Sequence, residues 1–114
     1  MKFNSLKEFF RDIHKNAVDH GWWEGDTVTP SEALGRLALV HAEVSEGVEE
    51  VRKGEGFYGM YFDDKKPEGL VVELADAVIR IVDLCEALDL DLETAMMVKH
   101  QYNKGRPWKH GKKL

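Results

Sequence analysis

The chain of 114 residues has the length of one domain, and its 43% hydrophobic and 32% charged residues are typical of a folded globular protein rather than a disordered one. No apolar run is long enough to span a membrane, and the amino terminus lacks the apolar core of a signal peptide, so we expect a cytoplasmic protein. The single cysteine, Cys85, excludes an internal disulfide and a cysteine-based zinc site and is expected to be an inert buried thiol.

The net charge of −5 conceals an uneven distribution along the chain. Residues 1–98 hold all 21 acidic residues and ten of the 16 basic ones, whereas residues 99–114 hold six basic residues and no acidic one. We expect one domain over residues 1–114 that ends in a basic tail over 104–114. This tail is consistent with phosphate binding, with contact to the acidic body, or with a solubilising end that has no function. Nucleic acid is a disfavoured partner, because the acidic body would repel a phosphate backbone.

The first two helices are predicted from apolar spacing and from their capping residues. Helix one is expected over about 5–20, because apolar residues recur at helical spacing before Gly21. Helix two begins with Thr29 as N-cap, Pro30 at its first position and Glu32 completing a capping box. It continues to about Arg52, since no proline intervenes and one face stays apolar. The apolar positions of that face are Ala33, Leu37, Val40, Val44, Val48 and Val51.

The last two helices follow a glycine-rich connection. Pro67 is expected to open the third helix, which ends near Leu88. The fourth is expected to start after Asp89 or Asp91, each a suitable cap, and to end near Asn103. No segment has convincing strand alternation, so the chain is predicted to be all-α and to form an antiparallel bundle of about four helices.

A narrow line of charge runs along the third helix. Helical spacing aligns Glu73, Asp76, Arg80 and Asp83, with apolar residues on both sides of them. Burying an ionised carboxylate costs several kcal/mol unless it is paired or bound to a cation, so these acids require a partner. The simpler alternative is an ion pair between Asp76 and Arg80 on the helix surface.

The second helix carries a similar line of acids. Glu43, Glu46 and Glu50 share one side of it, and Gly47 lies among them. A residue without a side chain leaves space for a group to approach the backbone at that point. The alternative is an ordinary solvated acidic face, which is common on soluble helices.

Together the two lines predict a site for a hard cation. The carboxylates of E-x-x-E and E-x-x-D pairs on neighbouring antiparallel helices would repel one another unless a cation lay between them. Oxygen ligands without paired histidine or cysteine favour Mg²⁺ or Mn²⁺ over zinc or copper. A di-iron bundle site would require Glu-x-x-His pairs, which these two helices lack.

At these residues the chain resembles the all-α nucleoside triphosphate pyrophosphohydrolase superfamily, and more narrowly its MazG-like members. Its "AEVSE" at 42–46 and "ELAD" at 73–76 are similar to the superfamily's E-E-x-x-E and E-x-x-D motifs, except that Ala42 replaces the first glutamate. The ending "YNKGRPWKHGKKL" is also similar to that of MazG-like proteins. The resemblance covers roughly residues 30–114.

The resemblance implies hydrolysis of a nucleoside or deoxynucleoside triphosphate between its α and β phosphates, which yields the monophosphate and pyrophosphate. It implies Mg²⁺, or alternatively Mn²⁺, as the cofactor, and a homodimer or homotetramer, because relatives complete their bundles and sites between subunits. Glu50 and Asp83 are expected to hold a second metal or to orient the attacking water. The expected metal ligands are Glu43, Glu46, Glu73 and Asp76.

Substrate contacts are expected from basic and polar residues near the end of the chain and from aromatic residues. The candidates for phosphate binding are Lys99 and Asn103, just before the basic tail, and Lys104 and Arg106 within it. Trp22 and Trp23 are candidates for stacking on the base, with the loop residues Phe57, Tyr58 and Tyr61 as further surfaces. Aromatic residues at this density more often serve core packing or a subunit contact than base stacking.

The histidines and the wider alternatives remain open at this point. His20, His41 and His110 are candidate acids or bases, although His41 falls on the apolar side of its helix and is expected to be packed there. A phosphoribosyl-ATP pyrophosphohydrolase would use the same metal chemistry on another substrate. A non-catalytic helical module that binds a nucleotide or a protein partner is the alternative from another functional class.

Overall fold

A computed structural model describes residues 2–111, with side chains through Lys109. Its helices are α1 (Leu6–Asp19), α2 (Pro30–Lys53), α3 (Leu70–Ala87) and α4 (Leu92–Lys104), with strands β1 (Tyr61–Asp63) and β2 (Lys66–Glu68) and a final 3₁₀ turn (Trp108–Gly111). The predicted helical class is thereby confirmed, and the last three residues of the basic tail lie outside the described part. Within residues 2–111 no helix has both the length and the apolar character that crossing a bilayer requires.

The capping residues place three of the four helix starts. The hydroxyl of Ser5 accepts a hydrogen bond from the backbone N–H of Glu8 at 3.1 Å, and that of Thr29 accepts one from Glu32 at the same distance. The carboxylate of Asp91 accepts from the N–H of Thr94 at 3.0 Å, so Asp91 rather than Asp89 caps α4. These bonds satisfy N–H groups that a helix leaves unpaired in its first turn.

The connection between α2 and α3 contains a short hairpin that sequence reasoning missed. β1 pairs antiparallel with β2, with Phe62 opposite Pro67. The prediction that Pro67 opens the third helix was therefore wrong. A proline is tolerated in an edge strand, and three-residue strands are too short to produce a recognisable alternation. The helix begins instead at Leu70, after Gly69 with its φ of 120°.

Three helices form the packed body of the chain. Along the α2–α3 contact Glu43 lies against Arg80 and Gly47 against Leu70, so residue numbers rise on one helix as they fall on the other, and the helices are antiparallel. α1 also packs antiparallel on α3. Its contact with α4 is much smaller than its contact with α3. The bundle within one chain therefore consists of α1, α2 and α3, while α4 extends from it with few contacts.

Gly47 is buried at the contact between α2 and α3. A Cβ added there would lie 3.3 Å from Cδ1 of Leu70 and 3.8 Å from Cβ of Glu73. The space that this glycine leaves is thus filled by α3 and not by a ligand.

The apolar core is small for a chain of this length. Among the described residues its buried apolar side chains are Phe10, Ala77, Val82 and Leu84. Cys85 is half-buried, and burial raises the pKa of its thiol, as expected for an unreactive residue. The apolar face predicted for α2 points away from the body, and Val48 is 53% exposed. The exposed apolar residues of α2 are Leu34, Leu37, Val44, Val48 and Val51.

Candidate metal centre and adjoining cavity

Three carboxylates from two helices converge in what we call the first carboxylate cluster. Glu43 comes from α2, and Glu73 and Asp76 come from α3. One oxygen of each lies within 4.8 Å of the others, and all three side chains are half-buried. An octahedral Mg²⁺ with oxygens at about 2.1 Å places opposite ligands roughly 4 Å apart, so a small side-chain adjustment would close this set around one ion. The cluster therefore fits a hard divalent cation.

A second carboxylate cluster shares one member with the first. It consists of Glu50, Glu68 and Glu73, again with one oxygen of each within 4.8 Å of the others. Glu50 is only 3% exposed and accepts a hydrogen bond from the hydroxyl of Tyr61 at 3.2 Å. Lys66 pairs with Glu68 at 3.1 Å. The hairpin thus supplies both a third carboxylate and the donors that partly compensate the cluster.

Glycines in the connection allow the hairpin to close over Glu50. A Cβ at Gly56 would lie 2.6 Å from Oε2 of Glu50 and 2.7 Å from Cα of Gly69, distances that an added carbon does not tolerate. The carbonyl of Gly56 also accepts the N–H of Leu70 at 2.9 Å. This tight contact anchors the start of α3 beside the second cluster.

Burial and neighbouring carboxylates disfavour the negative charge of the two cluster residues on α3, Glu73 and Asp76. Burial raises the pKa of Glu73 above its ordinary value, and the charges of Asp76, Glu43 and Glu46 raise it further. Burial and the charge of Glu43 also raise the pKa of Asp76, against the opposing effect of Arg80. Carboxylates that repel one another in a half-buried site would be stabilised by a bound cation.

Glu46 is the one ligand predicted from the motif that lies apart from the other three. It is exposed and belongs to neither cluster, although its charge reaches Glu73. The structure therefore brings together three of the four predicted ligands, Glu43, Glu73 and Asp76. It adds Glu68, which sequence reasoning missed because the residue lies on a short strand that no periodicity reveals.

Arg80 pairs across the helix contact and not along its own helix. Its Nε donates to Oε1 of Glu43 at 2.8 Å, with the side chains 32% and 15% exposed respectively. The alternative of a surface ion pair between Asp76 and Arg80 is thus replaced by a link between α2 and α3. Its partial burial makes this link stronger than an exposed pair.

A cavity of about 240 Å³ opens beside the first cluster, and Glu43 and Asp76 contribute to its wall. Trp22, 55% exposed, lies at the same cavity, as do Asn16 from α1 and Arg36 from α2. The remaining lining residues are Ile13, Ala17, Ile79, Arg80 and Asp83. The lining therefore combines apolar and aromatic residues with charged ones, two of which, Glu43 and Asp76, belong to the candidate metal centre.

Asp83 and Trp23 hold each other at the edge of this cavity. The indole Nε1 of Trp23 lies 2.9 Å from both carboxylate oxygens of Asp83, and Nδ1 of His14 lies 2.6 Å from one of them. The guanidinium of Arg36 covers the Trp23 ring at 4.0 Å from its centroid and donates to the carbonyl of Trp22. Of the two tryptophans, Trp22 is therefore the one with a ring exposed at the cavity. Sequence reasoning missed His14, whose signal was its position next to Ile13 on the side of α1 that faces α3.

Lys99, Lys104 and Arg106 neither line the cavity nor contact the two carboxylate clusters through an ion pair in the described part of the chain. No ion pair in residues 2–109 joins Lys99, Lys104 or Arg106 to an acidic residue. Lys99 and Arg106 instead lie over the ring of Tyr102, at 4.7 and 5.7 Å from its centroid. Oδ1 of Asn103 is buried without a hydrogen-bond partner in the described part of the chain.

The remaining candidates lie outside the site. His41 is exposed, so the prediction that it packs on the apolar side of α2 was wrong, because that side itself faces outward. Nδ1 of His20 lies 2.8 Å from the carbonyl of Asn16 at the end of α1. Phe57 and Tyr58 contact each other at 4.8 Å between ring centroids, and Tyr58 is 95% exposed. The side chain of His110 falls outside the described residues.

Comparisons with family models, with curated proteins and with solved structures find no match for this chain. The MazG-like resemblance therefore depends on the motifs quoted above and stays a prediction.

Proposed function

We propose that this protein is a Mg²⁺-dependent pyrophosphohydrolase that cleaves nucleoside or deoxynucleoside triphosphates between the α and β phosphates. The strongest support is that Glu43, Glu73 and Asp76 converge beside a cavity of about 240 Å³. Trp22 is one of the residues that line this cavity. The site thus combines carboxylates for a cation, which a polyanionic substrate requires, with an apolar space for the nucleoside.

A triphosphate and a group of carboxylates repel each other unless a cation lies between them. When bound, Mg²⁺ supplies charge neutralisation of the phosphates and a bound water of lowered pKa. Glu43, Glu73 and Asp76 hold the cation in this proposal, and Glu46 adds negative charge from the exposed side. Glu50, with Glu68 and Glu73, holds a second one.

The cavity residues divide the remaining tasks. The base stacks on Trp22, against the apolar wall formed by Ile13 and Ile79. Asp83, held by Trp23 and His14, keeps a fixed carboxylate toward the substrate and orients the attacking water.

A second copy of the chain completes the molecule in this proposal. The outward face of α2 exposes a row of apolar side chains, and α4 exposes Met96, Met97 and Val98 while packing on little of its own chain. Contiguous apolar surface of this kind marks contact sites. We therefore propose a cytoplasmic homodimer or homotetramer, in which Lys99, Asn103, Lys104 and Arg106 reach substrate phosphates bound to another subunit.

Pyrophosphate release from a panel of NTPs, dNTPs and phosphoribosyl-ATP, with and without Mg²⁺, tests the function. The parent is expected to release pyrophosphate only with the metal, and Glu43→Gln and Asp76→Asn to lose that activity while circular dichroism stays unchanged. Glu49→Gln is the matched control, because Glu49 lies on the same helix, is exposed and, among residues 2–109, pairs only with Arg52.

Three results would count against this function. If the parent cleaves no triphosphate but binds one, the non-catalytic binding module is favoured. If it cleaves phosphoribosyl-ATP alone, the substrate assignment is wrong while the metal chemistry stands. If the substituted proteins retain the parent's activity, the centre is not where the reaction occurs.

A further inference from the structure

The Arg80 side chain occupies a position between the candidate metal centre and the cavity. Its Nε donates to Oε1 of Glu43 at 2.8 Å, while the residue also lines the cavity. Among the described residues its two terminal nitrogens donate to no protein acceptor. A guanidinium carries five N–H donors, so most of its hydrogen-bonding capacity remains available in this arrangement.

The carboxylate of Glu43 is a candidate partner for two different cations. It belongs to the first carboxylate cluster, and it is also the acceptor of Arg80. A divalent cation held by Glu43 and the guanidinium repel each other at short range, and the repulsion is strong because the pair is partly buried. The ion pair and the bound cation are therefore in competition for the same carboxylate.

We propose that Arg80 binds a substrate phosphate. Without a divalent cation its guanidinium stays paired with Glu43, and binding of the cation releases it toward the cavity. The proposal rests on the proposed function, because it requires both the metal centre and a phosphate-bearing substrate. The released guanidinium remains next to the cavity, since only its contact with Glu43 changes.

The surroundings of Arg80 favour a phosphate as its second partner. Asp83, the other acidic residue that lines the cavity away from the cluster, already accepts hydrogen bonds from Trp23 and lies against His14. Asp76 belongs to the metal cluster itself. A substrate phosphate therefore offers the free acceptor oxygens in the cavity, and the planar guanidinium fork matches two of them at once.

A consequence of this exchange is coupling between metal and phosphate binding. The cation makes Arg80 available to the phosphate, and the phosphate gives the displaced guanidinium a partner, so each ligand strengthens the binding of the other. Arg80 acts against the metal when no phosphate is present and in favour of the substrate when the metal is bound. These opposite signs distinguish the proposal from a simple structural ion pair.

The effect of Arg80 on metal affinity is measured by titrating the protein with Mn²⁺ alone at pH 8. The electron paramagnetic resonance signal of the free ion monitors binding. Arg80→Gln is expected to bind Mn²⁺ roughly five- to tenfold more tightly than the parent, the lower part of the range for coupled sites. Arg80→Lys retains a cation beside Glu43 and is expected to resemble the parent. Arg52→Gln is the charge-matched control, because Arg52 pairs with the exposed Glu49 at 3.4 Å, and it is expected to change nothing.

The effect of Arg80 on substrate affinity is measured by calorimetric titration of an α,β-imido nucleoside triphosphate into the Mg²⁺-loaded proteins. Arg80→Gln is expected to bind this uncleavable analogue roughly tenfold or more weakly, and Arg80→Lys to bind it with intermediate affinity, because an ammonium lacks the bidentate fork.

The outcomes separate this inference from the function on which it rests. If the parent binds no Mn²⁺, the metal centre and hence the proposed function fail. If the parent binds Mn²⁺ but Arg80→Gln binds it equally or more weakly, the exchange is overturned while the centre stands. If Arg80→Gln does not fold, Arg80→Lys carries the test, and unchanged analogue binding by that variant overturns the proposal.

Discussion

The two long faces of α2 reverse the usual arrangement of a surface helix. The inner face, toward α3, carries Glu43, Gly47 and Glu50, whereas the outer face carries Val44 and Val48 in contact with solvent. A helix in a small domain normally buries its apolar side and exposes its acids. In the proposed function a cation binds at the inner face and an apolar surface of another subunit covers the outer face.

The inner face is compensated only in part by the chain itself. Arg80 pairs with Glu43, and the hydroxyl of Tyr61 donates to Glu50. On α3, opposite this face, burial and the charge of Glu43 raise the pKa values of Glu73 and Asp76, so the repulsion between the two helices is not fully compensated. The proposed cation site and the proposed subunit contact thus lie on opposite faces of α2, so substitutions can alter one face at a time.

The largest effect is expected from Glu73, which both clusters share. Glu73→Gln removes a ligand from each of them and is expected to lower the rate of pyrophosphate release by at least about a hundredfold, since even the outer partners of metal ligands are worth 10–100-fold. Glu46→Gln is the informative comparison, because Glu46 fits the motif but lies outside the clusters, and a loss of less than about tenfold is expected. Equal losses in the two variants would mean that the motif and not this geometry identifies the ligands.

The outer face is tested by a charge at its centre. Val48→Glu places a carboxylate among the exposed apolar residues and is expected to raise the dissociation constant of the oligomer at least about tenfold, equivalent to roughly 1.4 kcal/mol, because a charge buried in a subunit contact is costly. Sedimentation velocity over a range of concentrations measures this change. Val18→Glu, at an exposed apolar residue of α1, is the control and should leave assembly intact. A monomeric parent would show that the outer face of α2 is not a contact between copies of the chain.

The hairpin that closes the inner face has its own test. Gly56→Ala forces a carbon against Oε2 of Glu50 and Cα of Gly69 and is expected to destabilise the fold by about 1–3 kcal/mol, as overpacking does. Gly59→Ala is the matched control, because an added Cβ there meets nothing within 4 Å. Urea unfolding compares the two variants, and similar midpoints for both would show that the contact at Gly56 is not tight in solution.

The smallest effect is a dependence of stability on pH without divalent ions. A carboxyl whose pKa is raised by folding binds its proton more tightly in the folded state, so its ionisation destabilises the protein as the pH rises from the unfolded value, 4.5 for Glu73, through the folded one. Glu73→Gln is therefore expected to melt a few degrees above the parent at pH 8, because 1 kcal/mol corresponds to roughly 4 °C in a domain of this size.

This advantage should shrink as the pH falls through the raised pKa of Glu73, and it should reverse when Mg²⁺ stabilises the parent alone. Thermal melts at several pH values, with and without Mg²⁺, provide the measurement. A parent that is the more stable protein at pH 8 without the metal would contradict the electrostatic account of the inner face.

Local sequence determined where α1, α2 and α4 begin and how the charges align along α2 and α3. Ser5, Thr29 and Asp91 cap helices where the side chain can reach an unpaired N–H, an interaction that spans only three residues and is readable without the fold. The alignment of Glu43 with Glu50, or of Glu73 with Asp76, follows from the helical repeat alone.

Tertiary structure alone decided which of those residues meet. Glu46 is left outside and Glu68 is brought in by a hairpin, Arg80 turns to Glu43 on the other helix, and His14 joins Asp83. The outward direction of the apolar face of α2 was likewise undetermined, because periodicity shows that two faces differ but not which one meets α3. These outcomes depend on how closely the helices approach at Gly47 and on their rotation about their own axes, and both are set by packing between segments distant in sequence.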